Sequence, residues 1–285
     1  MIVPEIRHDR IAGDGVTLHV ARAGAGPPVL LLHGFPENWQ TWQHQMGPLA
    51  AAGLEVLAPD LRGYHLSDRP AGRAAYRLRH LVADAAALIR ATPHGRAHVV
   101  GHDWGGSIAW SLAAEHPELV DRLVIMNAPH LGTYLREVRR PPQLLRSWYV
   151  GFFQLPMLPE RMLAAHDFRV IRRLFRGTAR PGVYDEAQIE RYVQALAQPG
   201  ALTAALNYYR ALGGRDLARA RRARTEADTL VIWGERDRAL STRLLDGLEG
   251  YAPRLRVRRL PNASHWVQHD APAEVSRALV AFLAG

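Results

Sequence analysis

Gly101-His102-Asp103-Trp104-Gly105-Gly106 decides how the rest of this chain is read. It follows the apolar run His98 to Gly101 and leads into a helix-like stretch, Ser107 to His116, that stops at Pro117. Proline cannot continue a helix. The glycine spacing is that of a nucleophile elbow, G-x-Nuc-x-G, a sharp strand-to-helix turn that exposes its central side chain. Serine is the expected centre; here it is Asp103. A carboxylate in that place suits attack on an sp3 carbon bearing a leaving group. Asp is also a good helix N-cap, but an N-cap does not require glycines at 101, 105 and 106. The following helix N-terminus helps keep the carboxylate ionised.

Outward from the elbow, short apolar runs bounded by turn residues read as buried strands. They are Val16 to Ala21, Val29 to Leu32, Val56 to Ala58, His98 to Gly101, Leu123 to Met126, Leu230 to Trp233 and Leu255 to Leu260. Helical patterns lie between most of them, notably Leu78 to Arg90 and Ala273 to Leu283. Such alternation predicts an α/β fold with a mostly parallel central sheet and helices on both faces. The rhythm breaks between His130 and Arg224, a helical, aromatic, arginine-rich stretch with Pro141-Pro142 near its start and Gly213-Gly214 near its end. The expected division is a core domain of residues 1–129 and 225–285 with an inserted helical cap, residues 130–224.

Composition narrows the setting. The 285 residues are 48% apolar, enough for a large core. There is no cysteine, which excludes disulfides and thiolate metal sites. Met1 to Ile6 lacks a basic-then-apolar leader pattern, and no run approaches the roughly 18 residues that span a bilayer. A cytoplasmic protein without a membrane partner is expected. Net charge is +9 and all 36 basic residues are arginine. Between Pro129 and Arg224 there are 17 arginines against 7 acids, so the excess sits in the insertion. There they alternate with apolar residues at helical spacing, as in Phe168 to Phe175, which reads as solvated helix faces rather than a nucleic-acid site.

Three further segments lie at strand ends. His33-Gly34-Phe35-Pro36-Glu37 follows a buried strand, where a loop supplies one oxyanion-hole amide; the residue after the nucleophile supplies the other. The N–H groups of Phe35 and Trp104 are the candidates. Trp233-Gly234-Glu235-Arg236-Asp237 ends another strand, and Asp237 is the better histidine-orienting acid, with Glu235 left to the turn. Ser264-His265-Trp266 lies between the last strand and the last helix, with His269 as the near rival. The order Asp103, Asp237, His265 is nucleophile, acid, histidine. His33 and His102 read as structural. No His/Asp/Glu grouping has metal-ligand spacing, and no phosphate or dinucleotide fingerprint appears, so neither metal nor cofactor is expected.

With these motifs, and with Asp60-Leu61-Arg62-Gly63-Tyr64, the chain resembles the epoxide hydrolases of the α/β-hydrolase superfamily over nearly its whole length. Asn207-Tyr208-Tyr209-Arg210 is similar to the cap segment carrying one of that family's two epoxide-protonating tyrosines, which implies that role for Tyr209. At the expected place of the second stands Phe152; Tyr149 lies about one turn earlier. Either Tyr149 substitutes, or Tyr209 works alone or with His166 or Tyr134. Trp148, Phe152 and Trp266 are implied pocket residues. The implied reaction opens an epoxide to a vicinal diol through an ester at Asp103, hydrolysed by water that His265 and Asp237 activate. The implied partners are a small epoxide and water, in a monomer or homodimer. A haloalkane-type dehalogenase with the same triad is the alternative, with Trp104 and Trp148 as halide ligands.

Overall fold

The computed structural model describes residues 5–285; the start of the stretch read for a leader lies outside them. Eight strands form one sheet: β1 (Arg7–Ala12), β2 (Thr17–Ala23), β3 (Pro28–Leu32), β4 (Glu55–Pro59), β5 (Ala97–His102), β6 (Val120–Met126), β7 (Asp228–Gly234) and β8 (Leu255–Leu260). Their order is β1-β2-β4-β3-β5-β6-β7-β8. β1 and β2 pair antiparallel, as do β2 and β4; every other pair is parallel. The helices are α1 (Gln43–Ala51), α2 (Leu78–Arg90), α3 (Trp104–Glu115), α4 (Leu131–Glu137), α5 (Pro141–Arg146), α6 (Trp148–Phe152), α7 (Leu158–Thr178), α8 (Glu186–Ala197), α9 (Ala201–Ala211), α10 (Gly214–Ala220), α11 (Val267–Asp270) and α12 (Pro272–Leu283).

The central strands are apolar throughout because both faces are covered. Leu30, Leu32, Val99, Ile125 and Val231 join the core on one face, with α2 and α3. Val29, Leu31, Val100, Val124 and Ile232 join the core on the other, with α1 and α12. Helix α2 spans the residues its periodicity marked, and Pro272 starts α12 at a position where its missing N–H costs nothing.

Two strand expectations need correction. β1 was not foreseen: Arg-His-Asp-Arg-Ile-Ala carries no apolar run, because it is an edge strand with no fully buried residue. β8 is not buried. It forms the opposite edge, and Arg256, Arg258 and Arg259 are exposed along it, charges that discourage pairing with another sheet.

Between β6 and β7 come helices α4 to α10, with no strand among them. They are fastened over the carboxyl ends of the strands. Tyr208 Oη donates to the Arg62 carbonyl at 2.7 Å, and Gln143 Nε2 donates to the Ala239 carbonyl at 2.9 Å. Trp266 Nε1 donates to Thr178 Oγ1 at 2.8 Å. α7 is interrupted: Ala165 is extended and His166, Asp167 and Phe168 take positive φ.

Candidate active site

β5 ends at His102 and α3 begins at Trp104, so Asp103 alone makes the turn. Its backbone has φ 51° and ψ −118°. Non-glycine residues rarely adopt positive φ, and the surrounding structure must hold them there. The glycines explain how the chain packs so tightly. A Cβ at Gly105 would lie 2.1 Å from the Leu32 carbonyl oxygen, and one at Gly34 would lie 2.5 Å from Asp103 Oδ1.

Asp103 Oδ1 accepts the Phe35 N–H at 2.8 Å. Trp104 is the first residue of α3, so its N–H has no acceptor within the helix. Asp103 Oδ2 lies 3.7 Å from His265 Nε2. On the other side of that ring, His265 Nδ1 meets Asp237 Oδ2 at 2.7 Å. The three residues named from different strand ends therefore stand in line. Glu235 is at the surface, paired with Arg259.

Asp237 is buried and fully engaged. Its Oδ2 also accepts Asn127 Nδ2 at 2.7 Å, and its Oδ1 accepts the N–H groups of Ala239 and Leu240 at 2.7 and 2.9 Å. Burial alone would raise its pKa; the charge and hydrogen bond of His265, then Asn127, outweigh this and hold it below the usual carboxylate value. Burial alone would lower the His265 pKa. The carboxylates of Asp237 and then Asp103 overcome that and raise it to about 9. The Asp237 carboxylate beside His265 thus favours the protonated imidazole.

A cavity of about 310 Å³ opens on this line. Asp103, His265, Phe35, Tyr149, Tyr209, Trp148, Phe152 and Trp266, all implied by motif or resemblance, face it. A smaller cavity of about 70 Å³ lies beside it, and Asp103, Trp104, Tyr134, Tyr149 and Tyr209 line it. Tyr149 and Tyr209 thus border both spaces together with Asp103, their rings 6.0 Å apart and nearly perpendicular. Phe152 borders only the larger cavity. His166, at the break in α7, is exposed and lines neither. Burial, then the nearby charge of Asp103, pushes both phenols well above their ordinary pKa. Both phenols are therefore protonated at neutral pH.

His33 is buried among main-chain groups: its Nε2 accepts the Leu61 N–H at 3.0 Å. His102 donates from Nε2 to the His265 carbonyl at 2.9 Å, and its Nδ1 lies 3.2 Å from Glu37 Oε2. Glu37 also meets Thr41, Tyr184 and His269, so His269 belongs to a buried network and not to the cavity. Burial would raise the Glu37 pKa, but hydrogen bonds and charge from His102 and His269 bring it well below the usual range.

Sequence reading missed Asn127 as an acid-positioning side chain. Its only signal is its place just past the end of β6, beside the loop that holds Asp237. It also missed one grouping with metal-binding potential. His19, Asp60 and His65 come from distant segments, each offering an atom within 4.8 Å of the others. There both imidazoles hydrogen-bond Asp60 Oδ2, at 2.7 and 3.0 Å, and none of the three lines the cavity.

Comparison with known proteins agrees with this layout. Residues 27–272 match the alpha/beta hydrolase fold family. The chain is 42% identical to AB hydrolase superfamily protein YfhM of Bacillus subtilis (strain 168), covering 95% of each chain. It is 38% identical to epoxide hydrolase 3 of Xenopus tropicalis, covering 96% of this chain and 76% of that one. Its structure superposes on that of an epoxide hydrolase from Bacillus megaterium in complex with an inhibitor. The TM-score is 0.87 at 31% identity, covering 97% of this chain and 100% of that one. With an aspartate at its elbow and relatives of this kind over nearly its whole length, the chain belongs to the epoxide hydrolases of the α/β-hydrolase fold family.

Proposed function

We propose that this chain hydrolyses epoxides to vicinal diols through a covalent ester at Asp103. The observation that carries the reading is one cavity lined by the elbow carboxylate of Asp103, the phenols of Tyr149 and Tyr209, and His265, whose other ring nitrogen Asp237 holds at 2.7 Å. In this reading α4 to α10 form a cap domain that brings the phenols over a catalytic core.

An Asp103 oxygen attacks an epoxide carbon, and the ring C–O bond breaks. Tyr209, with Tyr149, donates a hydrogen bond to the ring oxygen, and one phenol gives its proton to the developing alkoxide. Phenols held neutral are suited to this, because an alkoxide is far more basic than even a raised phenolate. Esterification removes the negative charge of Asp103, one of the carboxylates that raise the His265 pKa. His265 then releases its proton, which restores the phenol, and stands neutral as a base. It takes a proton from water as that water attacks the ester carbonyl. The N–H groups of Phe35 and Trp104 hold the oxyanion, each donor contributing about 3 kcal/mol. Collapse expels the diol oxygen, which takes the proton from His265. The regenerated Asp103 carboxyl gives its own proton back to the histidine, and the cycle closes.

The test is turnover of an aryl epoxide and a matched alkyl bromide by the wild-type protein and by Asp103→Ala. Diol from the epoxide without bromide release by the wild type, and loss of diol formation in the variant, are expected. Bromide release exceeding diol formation would turn the reading to dehalogenation.

A further inference from the structure

The cap carries an unusual rim. Leu144, Leu145, Trp148, Met157, Met162 and Val170 are all exposed, Leu145 by 73% and Trp148 by 67%. Trp148, Met162 and Val170 also line the main cavity. A side chain that both faces solvent and lines a cavity stands at its mouth, so Trp148, Met162 and Val170 put exposed apolar surface at the way in. Isolated exposed apolar residues need no explanation, but several from one helical segment, three of them at an opening, mark a candidate contact surface.

The charge around the rim has one sign. Residues 139–173 contain seven arginines and two acids. Both acids are already engaged, Glu160 by Arg210 at 2.6 Å and Asp167 by Arg172 at 2.7 Å. Arg139, Arg146, Arg161, Arg169 and Arg173 are exposed, and among the described residues none has a carboxylate within ion-pair reach. Arg146 and the exposed Arg238 reach the cavity wall itself.

From this juxtaposition of an apolar rim, unpaired arginines and the cavity mouth we infer that the cap docks on an anionic lipid surface and takes apolar substrate from it. A second copy of the chain is the poorer occupant, since a self-paired face would bring its arginines against each other. Apolar side chains inserted at the acyl boundary with basic residues at the headgroups is the pattern of interfacial binding. Sequence reading set a membrane aside because no run is long enough to span one. Lying on the surface requires no such run, and among the described residues no helix is long and apolar enough to cross a bilayer. Docking stands whether or not the bound substrate is an epoxide.

The experiment is co-sedimentation of the whole protein with vesicles of equimolar phosphatidylglycerol and phosphatidylcholine, or of phosphatidylcholine alone. Wild-type protein partitions to the anionic vesicles at least about tenfold better than to the neutral ones, and high salt releases it. Leu144→Ser with Leu145→Ser, and separately Arg139→Glu with Arg173→Glu, each weaken partitioning about tenfold or more. Val257→Ser, which removes an exposed apolar residue of β8 instead, leaves it unchanged. Circular dichroism and thermal unfolding confirm that each variant is folded, and Leu145→Ser alone replaces the leucine pair if that pair does not fold. Absence of wild-type partitioning to anionic vesicles overturns the inference, as does indifference to either pair of substitutions. A wild-type dimer that Leu145→Ser dissociates, with no vesicle binding, assigns the face to a second copy instead.

Discussion

Asp103 holds a φ of 51° that its side chain disfavours, and the elbow keeps it there so that the carboxylate faces the cavity. Such a conformation stores about 1–3 kcal/mol. Comparing Asp103→Gly with Asp103→Ala isolates that term, since both remove the carboxylate. The glycine variant should be the more stable by about 1–2 kcal/mol in urea unfolding, and equal stabilities would mean the turn is unstrained. Asn127 acts one step away, through the orientation of Asp237. Asn127→Ala removes a buried hydrogen bond to a charge, with an expected cost of about 1.5–3 kcal/mol in stability. It should also lower kcat about tenfold with KM little changed; a change in KM alone would assign Asn127 to the pocket. At this scale Asp103, Asp237, His265 and Phe35 were legible because each follows a strand in a recognisable turn. Asn127 was not, because its role comes from the neighbouring parallel strand. Tyr149 could be placed beside Tyr209 only when α6 and α9 were seen together.

The elements carry the site by ending at the same edge of the sheet. β3, β5, β6 and β7 deliver Phe35, Asp103, Asn127 and Asp237 in turn, and the loop after β8 delivers His265. α3 crosses β3 closely at Gly105. Gly105→Ala places a Cβ 2.1 Å from a main-chain oxygen that cannot yield. It should lower stability by at least about 3 kcal/mol or prevent soluble expression. Gly177→Ala in α7 meets nothing within 4 Å and should raise stability by about 0.5–1 kcal/mol. Thermal unfolding of the two, side by side, checks whether the elbow or helix propensity governs. Strands buried on both faces were legible as apolar runs. The edges were not: β1 lacks such a run, and β8 was read as buried though its arginines face solvent. The break in α7 left no mark in the sequence, since Ala165 to Phe168 contains neither glycine nor proline.

For the whole molecule, the ion pairs at the active site couple stability to pH. His265 has an ordinary pKa of 6.5 and a folded value of about 9. A raised value contributes stability that is complete below about pH 6.5 and lost as pH rises towards 9. Wild-type protein should lose about 2–3 kcal/mol across that window at about 1.4 kcal/mol per pKa unit. His265→Gln should flatten the curve there, and an unchanged slope would place the titrating group elsewhere. Asp237, held below its ordinary value, has the opposite sign: its contribution is present above pH 3.8 and lost as pH falls through its folded value. The whole-chain layout of sheet and helical insertion was legible from alternation and its interruption. The cavity was not, because its shape depends on how seven helices settle over the sheet.

The central claim, a covalent ester at Asp103 resolved by His265, has one direct measurement: the intact mass of His265→Gln after exposure to an aryl epoxide and, separately, to a matched alkyl bromide. A gain equal to the whole epoxide, mapped to Asp103, is the predicted result. A gain from the bromide alone, with loss of bromide, would contradict epoxide opening, and no adduct from either would contradict Asp103 as the nucleophile.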